Sequence, residues 1–336
     1  HSSFAAALAV GAAAQATVFS VDTNTEAALE AAIVAANARV FQTSVAQPVV
    51  IEFANALIGQ TIHLSHALPV LVVDHVTLRV AGASPTARVH VRATNAPTAF
   101  RVAGRHVVVE NVRFDTTATP PTPPQDVFTA AGSENLTVRH CTFAGAGGNA
   151  LWLIGVTAAT IEDCDFQGSA AGLVLTAGCS GIAVTNSRFT ANVHGVLAAV
   201  ADHLQITGCS FDANTFAVDL APVCGDVVFG PDNVVRNSSG HPAVVARGAV
   251  RLAVDDSQFF DNAGAGIGLL DLCADVTLRR NVFARNGGAA GHQVLVDGCF
   301  GVAIEGLQCS DGGAGVSVRD THLLRLSSPV GAPTSI

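Results

Sequence analysis

A phenylalanine recurs about every 23 residues through the middle of this chain, and this period constrains the fold more than any other feature. Phe143, Phe166, Phe189 and Phe211 follow one another at spacings of 23, 23 and 22 residues. Phe114 begins the series, and we expect Val234, Phe259, Phe283 and Cys309 to continue it. A fixed period of about 20 to 50 residues is typical of a repeat protein in which each unit stacks on the next.

Each period contains two short apolar segments that predict β-strands. The first ends at the periodic phenylalanine, as in Leu136–Phe143 and Leu204–Phe211, and the second follows a turn, as in Ala150–Leu153 and Gly172–Leu175. The 32 glycines and the asparagines at the unit ends supply the left-handed backbone that tight turns require. Hydrophobic residues make up 49% of the chain and charged residues 13%, which excludes a disordered protein. The pattern predicts an all-β solenoid.

The two ends of the chain depart from the repeat. We interpret residues 1–16 either as the remnant of a signal peptide or as an alanine-rich first strand or helix. Residues 17–48 are expected to form a cap, because Thr23 and Glu26 fit a capping box and apolar residues follow at helical spacing over 26–37. Residues 49–322 would form the solenoid and 323–336 a C-terminal tail. The proline-rich segment Thr116–Pro124 predicts an extruded loop.

The repeats resemble the right-handed parallel β-helix family. The phrase Ile-x-Ile-x-x-Asn-x-Phe, a Gly/Asn turn and a short second strand form the generic repeat of that family, although cysteine or serine mostly replaces the asparagine here. The resemblance implies a single-stranded right-handed parallel β-helix of about ten rungs with an N-terminal amphipathic capping helix. It also implies an extracellular or cell-envelope location. The family includes pectate and alginate lyases, mannuronan epimerases, phage tailspikes and adhesins, so the resemblance implies no single function.

Charge and length exclude some partners. The formal net charge is −9 and no basic stripe offsets it, which argues against nucleic acid and anionic membranes. The apolar segment near the start is too short to span a bilayer. We therefore expect no nucleic acid partner and no membrane span.

The eight cysteines fall mainly on two repeat positions. Stacking of rungs would bring Cys141 near Cys164 and Cys273 near Cys299, about one strand spacing apart. Both stacked free thiols and disulfides fit this arrangement. No Cys-x-x-Cys or His-x-x-x-His pair is present, so we expect no metal site of the zinc type.

Charged residues alternate in sign along one predicted outward column. Its members include Glu110, Arg139 and Glu162 near one end and Asp255, Arg279 and Glu305 near the other. Such columns form either structural ion-pair ladders or a functional cleft. The candidate cleft consists of Arg139, His140, Glu162, Asp163, Asp165 and Arg188.

In a polysaccharide lyase, an arginine of this cleft would neutralise a carboxylate and His140 would act as base. Glu162, Asp163 and Asp165 could then hold Ca²⁺, the one cofactor that we consider, and only under this alternative. The hydrolase and epimerase signatures of the β-helix family are missing as sets. The chain also has one tryptophan and no tyrosine, although glycan enzymes usually hold sugars on such rings.

A second outward column is mostly apolar. Its candidate interface residues are Trp152, Val174, Leu197, Val245 and Leu295. A long apolar strip on a soluble protein normally marks an interface. The alternative is that another segment, such as the tail 323–336, covers it.

These patterns favour a non-enzymatic extracellular or envelope protein that presents a rigid surface for self-assembly or adhesion. Its expected partners are further copies of itself, as a homo-oligomer or filament, or surface glycans. The alternatives are a polysaccharide lyase or another enzyme acting on acidic glycans through the cleft, and a glycan-binding module without catalysis.

Overall fold

The fold is a parallel β-solenoid built from three sheets. The computed structural model describes residues 16–39, 48–82, 84, 86–94, 98–116, 126–145, 147–240, 242–287, 291–310 and 315–327. The strands of each sheet pair in parallel with the strand one turn earlier and one turn later. The prediction of an all-β parallel β-helix is confirmed, with about 11 turns rather than about ten, as the strands of the second sheet indicate.

The sheets are named A, B and C in the order in which the chain enters them. The 13 strands of sheet A are Thr17–Val21, Val49–Phe53, Val76–Val80, Val108–Glu110, Glu134–Arg139, Thr157–Glu162, Cys179–Thr185, Ala201–Thr207, Gly225–Phe229, Val250–Asp255, Ala274–Arg279, Phe300–Glu305 and His322–Ser327. The 11 strands of sheet B are Thr61–Leu64, Val89–Ala93, Val112–Thr116, Thr142–Ala144, Asp165–Gln167, Arg188–Thr190, Ser210–Asp212, Val234–Arg236, Gln258–Phe260, Val282–Ala284 and Gln308–Ser310. The ten strands of sheet C are Thr98–Val102, Asp126–Ala131, Asn149–Ile154, Ala171–Thr176, His194–Ala198, Phe216–Leu220, Val244–Arg247, Ile267–Leu270, Val294–Asp297 and Val316–Arg319.

The core is one continuous cluster of side chains enclosed by the three sheets. Phe143, Phe166, Phe189 and Phe211 are fully buried and stand in register along sheet B. Their ring centroids are 4.7 to 5.0 Å apart in successive pairs, and the rings are nearly parallel. This distance matches the spacing of about 4.8 Å between hydrogen-bonded strands, so one phenylalanine fills one turn.

The prediction that Val234 continues the phenylalanine column is wrong by one residue. Val235 pairs with Phe211 on one side and with Phe259 on the other. The ring of Phe229, which comes from sheet A, lies 5.9 Å from Phe211 and 6.1 Å from Phe259 between centroids. Phe229 therefore fills the volume that a phenylalanine at position 235 would occupy.

Most of the cysteines are small buried residues near the turns. All eight are free thiols, and seven of them are buried, with Cys309 as the exposed member. Of the two interpretations of the cysteines, the structure contains stacked thiols. Burial raises the pKa of the Cys209 thiol to about 11, which makes it unreactive near neutral pH.

One helix, Glu26–Ala38, covers the core at the N-terminal end. The helix residues Leu29, Ile33 and Ala36 are completely buried against the core, as the helical spacing predicts. The N-cap is Thr25, whose hydroxyl accepts a hydrogen bond from the Ala28 amide, so the capping box expected at Thr23 is wrong. The carboxylate of Glu26 instead accepts hydrogen bonds from the backbone amides of Ser65 and His66, which fix the helix to the solenoid.

The solenoid extends further than residue 322. His322–Ser327 pairs with Phe300–Glu305 as the last strand of sheet A. Residues 1–15, most of the proline-rich segment (117–125) and residues 328–336 lie outside the described residues. Within the described part of the chain, no helix is both long enough and apolar enough to cross a membrane.

Candidate functional site

A shallow groove lies along the turn between sheets A and B. Its volume is about 310 Å³. The lining residues come from three successive turns of the solenoid: Asp163, Cys164, Asp165, Asn186, Ser187, Arg188, Gly208 and Ser210. Asp163, Asn186 and Gly208 have φ values of 49°, 48° and 63°, so equivalent left-handed residues stack at this turn. Short polar side chains and glycine tolerate that conformation best.

Register brings half of the predicted cleft residues together in this groove. Asp165 pairs with Arg188, and Arg188 pairs with Ser210, at the first positions of three neighbouring strands of sheet B. Asp163 lies two residues before Asp165, in the connection between sheets A and B. His140 lies in the equivalent connection one solenoid turn earlier, and its Nε2 atom is 3.4 Å from a carboxylate oxygen of Asp163. His140 therefore borders the groove without lining it.

Arg139 and Glu162 lie outside the groove, on the outer face of sheet A. Arg139 pairs in register with Glu110 on one side and Glu162 on the other. Its Nε and Nη2 atoms are 2.7 and 2.6 Å from Oε2 of Glu110. The expected acid–arginine–acid column is thus present, and its arginine is bound to one of the two carboxylates.

Ion pairs between neighbouring turns recur along the solenoid. Besides Arg139–Glu110, examples with nitrogen–oxygen distances of 2.6 to 2.8 Å are Arg79–Glu52, Arg236–Asp212, Arg280–Asp256 and Arg285–Asp261. Arg279 and Glu305, from the second predicted column, are 3.5 Å apart. These contacts match the ladder interpretation of the charged columns.

Arg188 differs from these arginines. Asp165 stands one turn before it in register, yet Arg188 forms no ion pair with any residue that the structure describes. The positive charge of Arg188 acts on Asp212, which lies one solenoid turn further along. Burial of Asp212 raises the pKa of that carboxyl, but hydrogen bonds from Asn237 and Arg236 and the positive charge of Arg188 outweigh burial and lower it. An exposed guanidinium therefore remains available at the groove.

A buried carboxylate on sheet B was not predicted from the sequence. Asp115 receives two hydrogen bonds from Arg92, of 2.6 and 3.0 Å, and one of 3.2 Å from Arg113. Burial raises the pKa of Asp115, but these arginine contacts outweigh burial and lower it. The signal in the sequence is that Arg92 and Asp115 are one period apart. The two arginines donate hydrogen bonds to the carboxylate and balance its charge, so we assign this network a role in stabilising the fold.

One group of side chains has the spacing of metal ligands among the residues that the structure describes. Ligand atoms of Asp202, His203 and Asp226 lie within 4.8 Å of one another. The guanidinium of Arg251 binds both carboxylate oxygens of Asp226. Because that carboxylate is already neutralised, the group is best described as an ion-pair cluster.

The apolar column on sheet C has the predicted register but is partly covered. Trp152, Val174 and Leu197 stand on successive turns, with Val245 and Leu295 further along. Val174 and Val245 are only 5% and 0% exposed, and the other three are half-buried. The indole nitrogen of Trp152 donates a hydrogen bond of 2.9 Å to the Thr176 hydroxyl.

Polar residues interrupt the same column. Asp219 stands between Leu197 and Val245 in register and accepts a hydrogen bond of 2.7 Å from Arg247. The ring of Pro242 occupies the space beside Gly268, the next position after Val245. Local side chains therefore provide part of the cover. Residues 323–327 do not lie over the column, since they belong to sheet A.

Comparison with known proteins identifies the architecture. Residues 126–323 match the family model described as right handed beta helix region. The A-module of the mannuronan C-5 epimerase AlgE6 from Azotobacter vinelandii is similar at 12% identity, with a TM-score of 0.66, over 90% of this chain and 95% of that chain. The surface protein and adhesin PfbA of Streptococcus pneumoniae is similar at 13% identity, with a TM-score of 0.64, over 90% and 95%. An alginate lyase from Paenibacillus sp. str. FPU-7 is similar at 12% identity, with a TM-score of 0.57, over 89% and 99%.

At these identities the similarity extends to the fold alone. The solved structures include an epimerase, a lyase and an adhesin, so the shared fold does not distinguish catalysis from binding. No curated protein sequence matches the chain.

Proposed function

This chain belongs to the right-handed β-helix family, and from that premise we propose that it is a non-enzymatic extracellular or envelope protein that presents the rigid side of its solenoid to a partner. The observation that carries the proposal is that the available cation of the groove, Arg188, is not accompanied there by the candidate base His140, which lies outside the lining residues. A lyase needs a cation that is free to neutralise the carboxylate of its substrate, together with a base at the proton to be removed. Arg139 is already neutralised and lies on a different face from the groove. Arg188 is available in the groove, but no histidine is among the lining residues that could serve as its base.

The contacts around the groove support binding without chemistry. His140, the candidate base, lies beside the carboxylate of Asp163 and outside the lining of the groove. The lining side chains are attached to paired strands and hydrogen-bonded turns. A surface that is rigid before binding loses little conformational entropy when a partner docks, which favours an adhesion role.

A glycan is the partner that the groove suits best. Arg188, Asn186 and Ser210 offer hydrogen-bond donors, and Asp163 and Asp165 offer acceptors. A chain of sugar hydroxyls can use both kinds of group. The resulting role is that of a glycan-binding surface without catalysis. Such a surface would serve in adhesion, so it combines the favoured function with the alternative of a glycan-binding module.

Incubation of the protein with acidic polysaccharides, with and without Ca²⁺, tests the absence of catalysis. We expect no unsaturated uronate product and no new reducing ends. Turnover that is abolished by Arg188→Ala, with unchanged thermal unfolding, would make the chain an enzyme and contradict the proposal.

Binding to a panel of immobilised glycans tests the groove itself. We expect Arg188→Ala to weaken binding of a positive glycan by about tenfold or more, which corresponds to about 1.4 kcal/mol. Arg236→Ala is the matched control, because Arg236 is also exposed on sheet B but is paired with Asp212. If the two variants weaken binding equally, or if no glycan binds, the groove is not the binding surface.

A further inference from the structure

A cluster of arginines lies on the outer face of sheet B, in the first turns of that sheet. His90 is at its centre and pairs in register with Thr61 on one side and with Arg113 on the other. Arg92 follows two residues later on the same strand, and therefore on the same face, and Arg88 directly precedes that strand. Three guanidinium groups from two neighbouring turns are thus collected around one histidine.

The charges of these arginines act together at His90. Burial lowers the pKa of the imidazole, and the positive charges of Arg113, Arg92 and Arg88 lower it further. The carboxylate of Asp115 opposes this effect without outweighing it. Three positive charges against one negative charge leave an excess of two at this place, although the whole chain has a formal net charge of −9. A positive region on an acidic protein attracts anions locally.

Each arginine is held in place through one edge of its guanidinium group. Arg92 binds Asp115 through Nε and Nη2, and Arg113 binds the same carboxylate through Nε. Nε of Arg88 donates a hydrogen bond of 2.9 Å to the backbone carbonyl of His140, two solenoid turns further along. The other Nη nitrogens donate no hydrogen bond to any residue that the structure describes. These donors are therefore ordered before a ligand binds, which reduces the entropy that binding costs.

We propose that Arg88, Arg92 and Arg113 form a binding site for a sulfate or phosphate group, carried as an ester on a sugar or free in solution. Such a group presents at least three oxygens that accept hydrogen bonds, so it can use donors from several guanidinium groups at once. A carboxylate presents two oxygens, and Asp115 already occupies the position in which a carboxylate binds Arg92. The site is separate from the groove and goes beyond the proposed function.

The site and the groove lie on the same sheet but can be tested independently. Arg113, Thr142, Asp165 and Arg188 follow one another in register at equivalent positions of successive strands. Arg113 therefore stands three strand spacings, about 14 Å, from Arg188. Substitutions at this separation usually have additive effects, so a change at one of the two arginines reports on its own site.

Calorimetric titration of the full chain with glucose 6-sulfate, glucose 6-phosphate and glucuronate at physiological ionic strength tests the class of ligand. We expect both esters to bind, and glucuronate, with its single carboxylate, to bind at least about tenfold more weakly. Inorganic sulfate and phosphate separate the two sources. Tighter binding of the esters identifies an esterified sugar as the ligand, whereas equal or weaker binding identifies the free anion. If neither the esters nor the inorganic anions bind, or if glucuronate binds as tightly as the esters, the proposal is wrong.

Arg113→Gln tests the assignment of residues, because it removes one guanidinium group and leaves the contact between Arg92 and Asp115 in place. We expect it to weaken binding of the esters by about tenfold or more, with little change in thermal unfolding. Arg236→Gln is the matched control, since Arg236 is also on sheet B but is paired with Asp212. Equal losses of binding in the two variants would overturn the proposal.

The imidazole of His90 provides a second readout that a purely structural role of the arginines would not affect. A bound anion offsets the positive charges around the ring, so sulfate should raise the pKa of His90 in a proton NMR titration, with the resonance assigned from His90→Gln. Arg88→Gln should reduce this shift, and it keeps both arginine contacts of Asp115. An unchanged pKa of His90 at saturating sulfate would contradict the site. Arg188→Ala should leave the shift intact, so the outcome does not depend on whether the groove binds a glycan.

Discussion

At the scale of the residue, buried asparagines hold the turns between sheets B and C in register. Asn262 accepts a hydrogen bond from the amide of Ser238 and donates one of 2.7 Å to the side chain of Asn286. Asn192 and Asn214 repeat this arrangement three turns earlier. Each amide satisfies backbone groups that would otherwise be buried without a partner, and leaving such a group unpaired costs about 1 to 3 kcal/mol.

A half-buried histidine gives the stability of the fold a pH dependence near neutrality. The His194 ring stacks on Phe216 at 5.2 Å between centroids, and its Nδ1 atom is 3.5 Å from Asp219 without a hydrogen bond. Burial lowers the pKa of His194, and the charge of Arg247 adds to the effect, although Asp219 opposes it. The unfolded chain therefore binds a proton at higher pH than the folded protein does.

We predict that the free energy of unfolding falls as the pH decreases below about 6.5, the usual pKa of histidine in an unfolded chain. The stabilisation is fully present above that pH and is lost as the pH falls through the lowered pKa of the folded state. His194→Gln should show a shallower fall in urea unfolding between pH 7.5 and pH 5. A slope as steep as that of the wild type would contradict the assignment to His194. Some slope should remain, since burial and the charge of Arg113 also lower the pKa of His90.

At the scale of the element, the short strands of sheet B depend on the rings that they carry. Asp165–Gln167, Arg188–Thr190 and Ser210–Asp212 have three residues each. The central residue of each is a phenylalanine that packs against those of the neighbouring turns. Strands of this length gain little from their own hydrogen bonds, so the ring stack and the adjoining turns fix their position.

Two substitutions in the same column should destabilise the protein for opposite reasons. Phe189→Ala removes a ring between two others and should cost about 3 to 5 kcal/mol through the cavity that it leaves. Val235→Phe restores the repeat residue but collides with the ring of Phe229, and should cost about 1 to 3 kcal/mol through overpacking. Chemical denaturation of both variants measures these costs. A Val235→Phe protein more stable than the wild type would show that the volume is not filled.

At the scale of the whole molecule, each turn contacts mainly the turns before and after it. Stability in such a solenoid is close to a sum of turn stabilities and of interfaces between neighbours. The pairing register of each strand is therefore set by its neighbours in the adjacent turns, and the same register recurs along the solenoid. Asp165, Phe166 and Gln167 pair with Arg188, Phe189 and Thr190.

Removal of one complete turn should leave a folded protein. Deletion of Asp165–Ser187 joins Cys164 to Arg188 and keeps every later strand in register, so we expect cooperative thermal unfolding and a β-rich circular dichroism spectrum. Deletion of Asp165–Arg188 is the matched control. It removes one residue more and directs Phe189 away from the core, because a shift of one residue reverses the faces of a strand. Equal stability of the two deletion proteins would show that the 23-residue register is not what organises the fold.

Much of the architecture could be predicted because similar side chains recur at equivalent positions in successive repeats. The phenylalanine period, the apolar column from Trp152 to Leu295 and the charged column around Arg139 all have the expected register. The prediction at Val234 was wrong because the ring of Phe229, which comes from a strand of sheet A, fills the core next to Phe211. The repeat of sheet B alone does not reveal a contact with a strand of another sheet. The asparagine positions at the turn between sheets B and C were missed, since asparagine is also common in exposed turns.

The candidate cleft was harder to predict because register alone does not say which charges are satisfied. His140, Asp163, Asp165 and Arg188 are brought to one turn region, whereas Arg139 and Glu162 point from another face. Neighbouring arginines with the same spacing to an acid differ in whether they form an ion pair. That difference depends on the direction that each side chain takes in the folded protein, which the sequence does not encode in a simple pattern.

The sequence by itself determined the solenoid, its period and the columns of equivalent residues, because a period that is repeated many times specifies which residues stack. Only the tertiary structure decided which members of those columns remain accessible. Among the described residues, Arg188 has no ion-pair partner, whereas Arg139 is paired and Val245 is covered, since each of these outcomes depends on the side chains that lie one turn away. Accessibility is a property of neighbours in space, and in this fold those neighbours lie about two dozen residues apart in the chain.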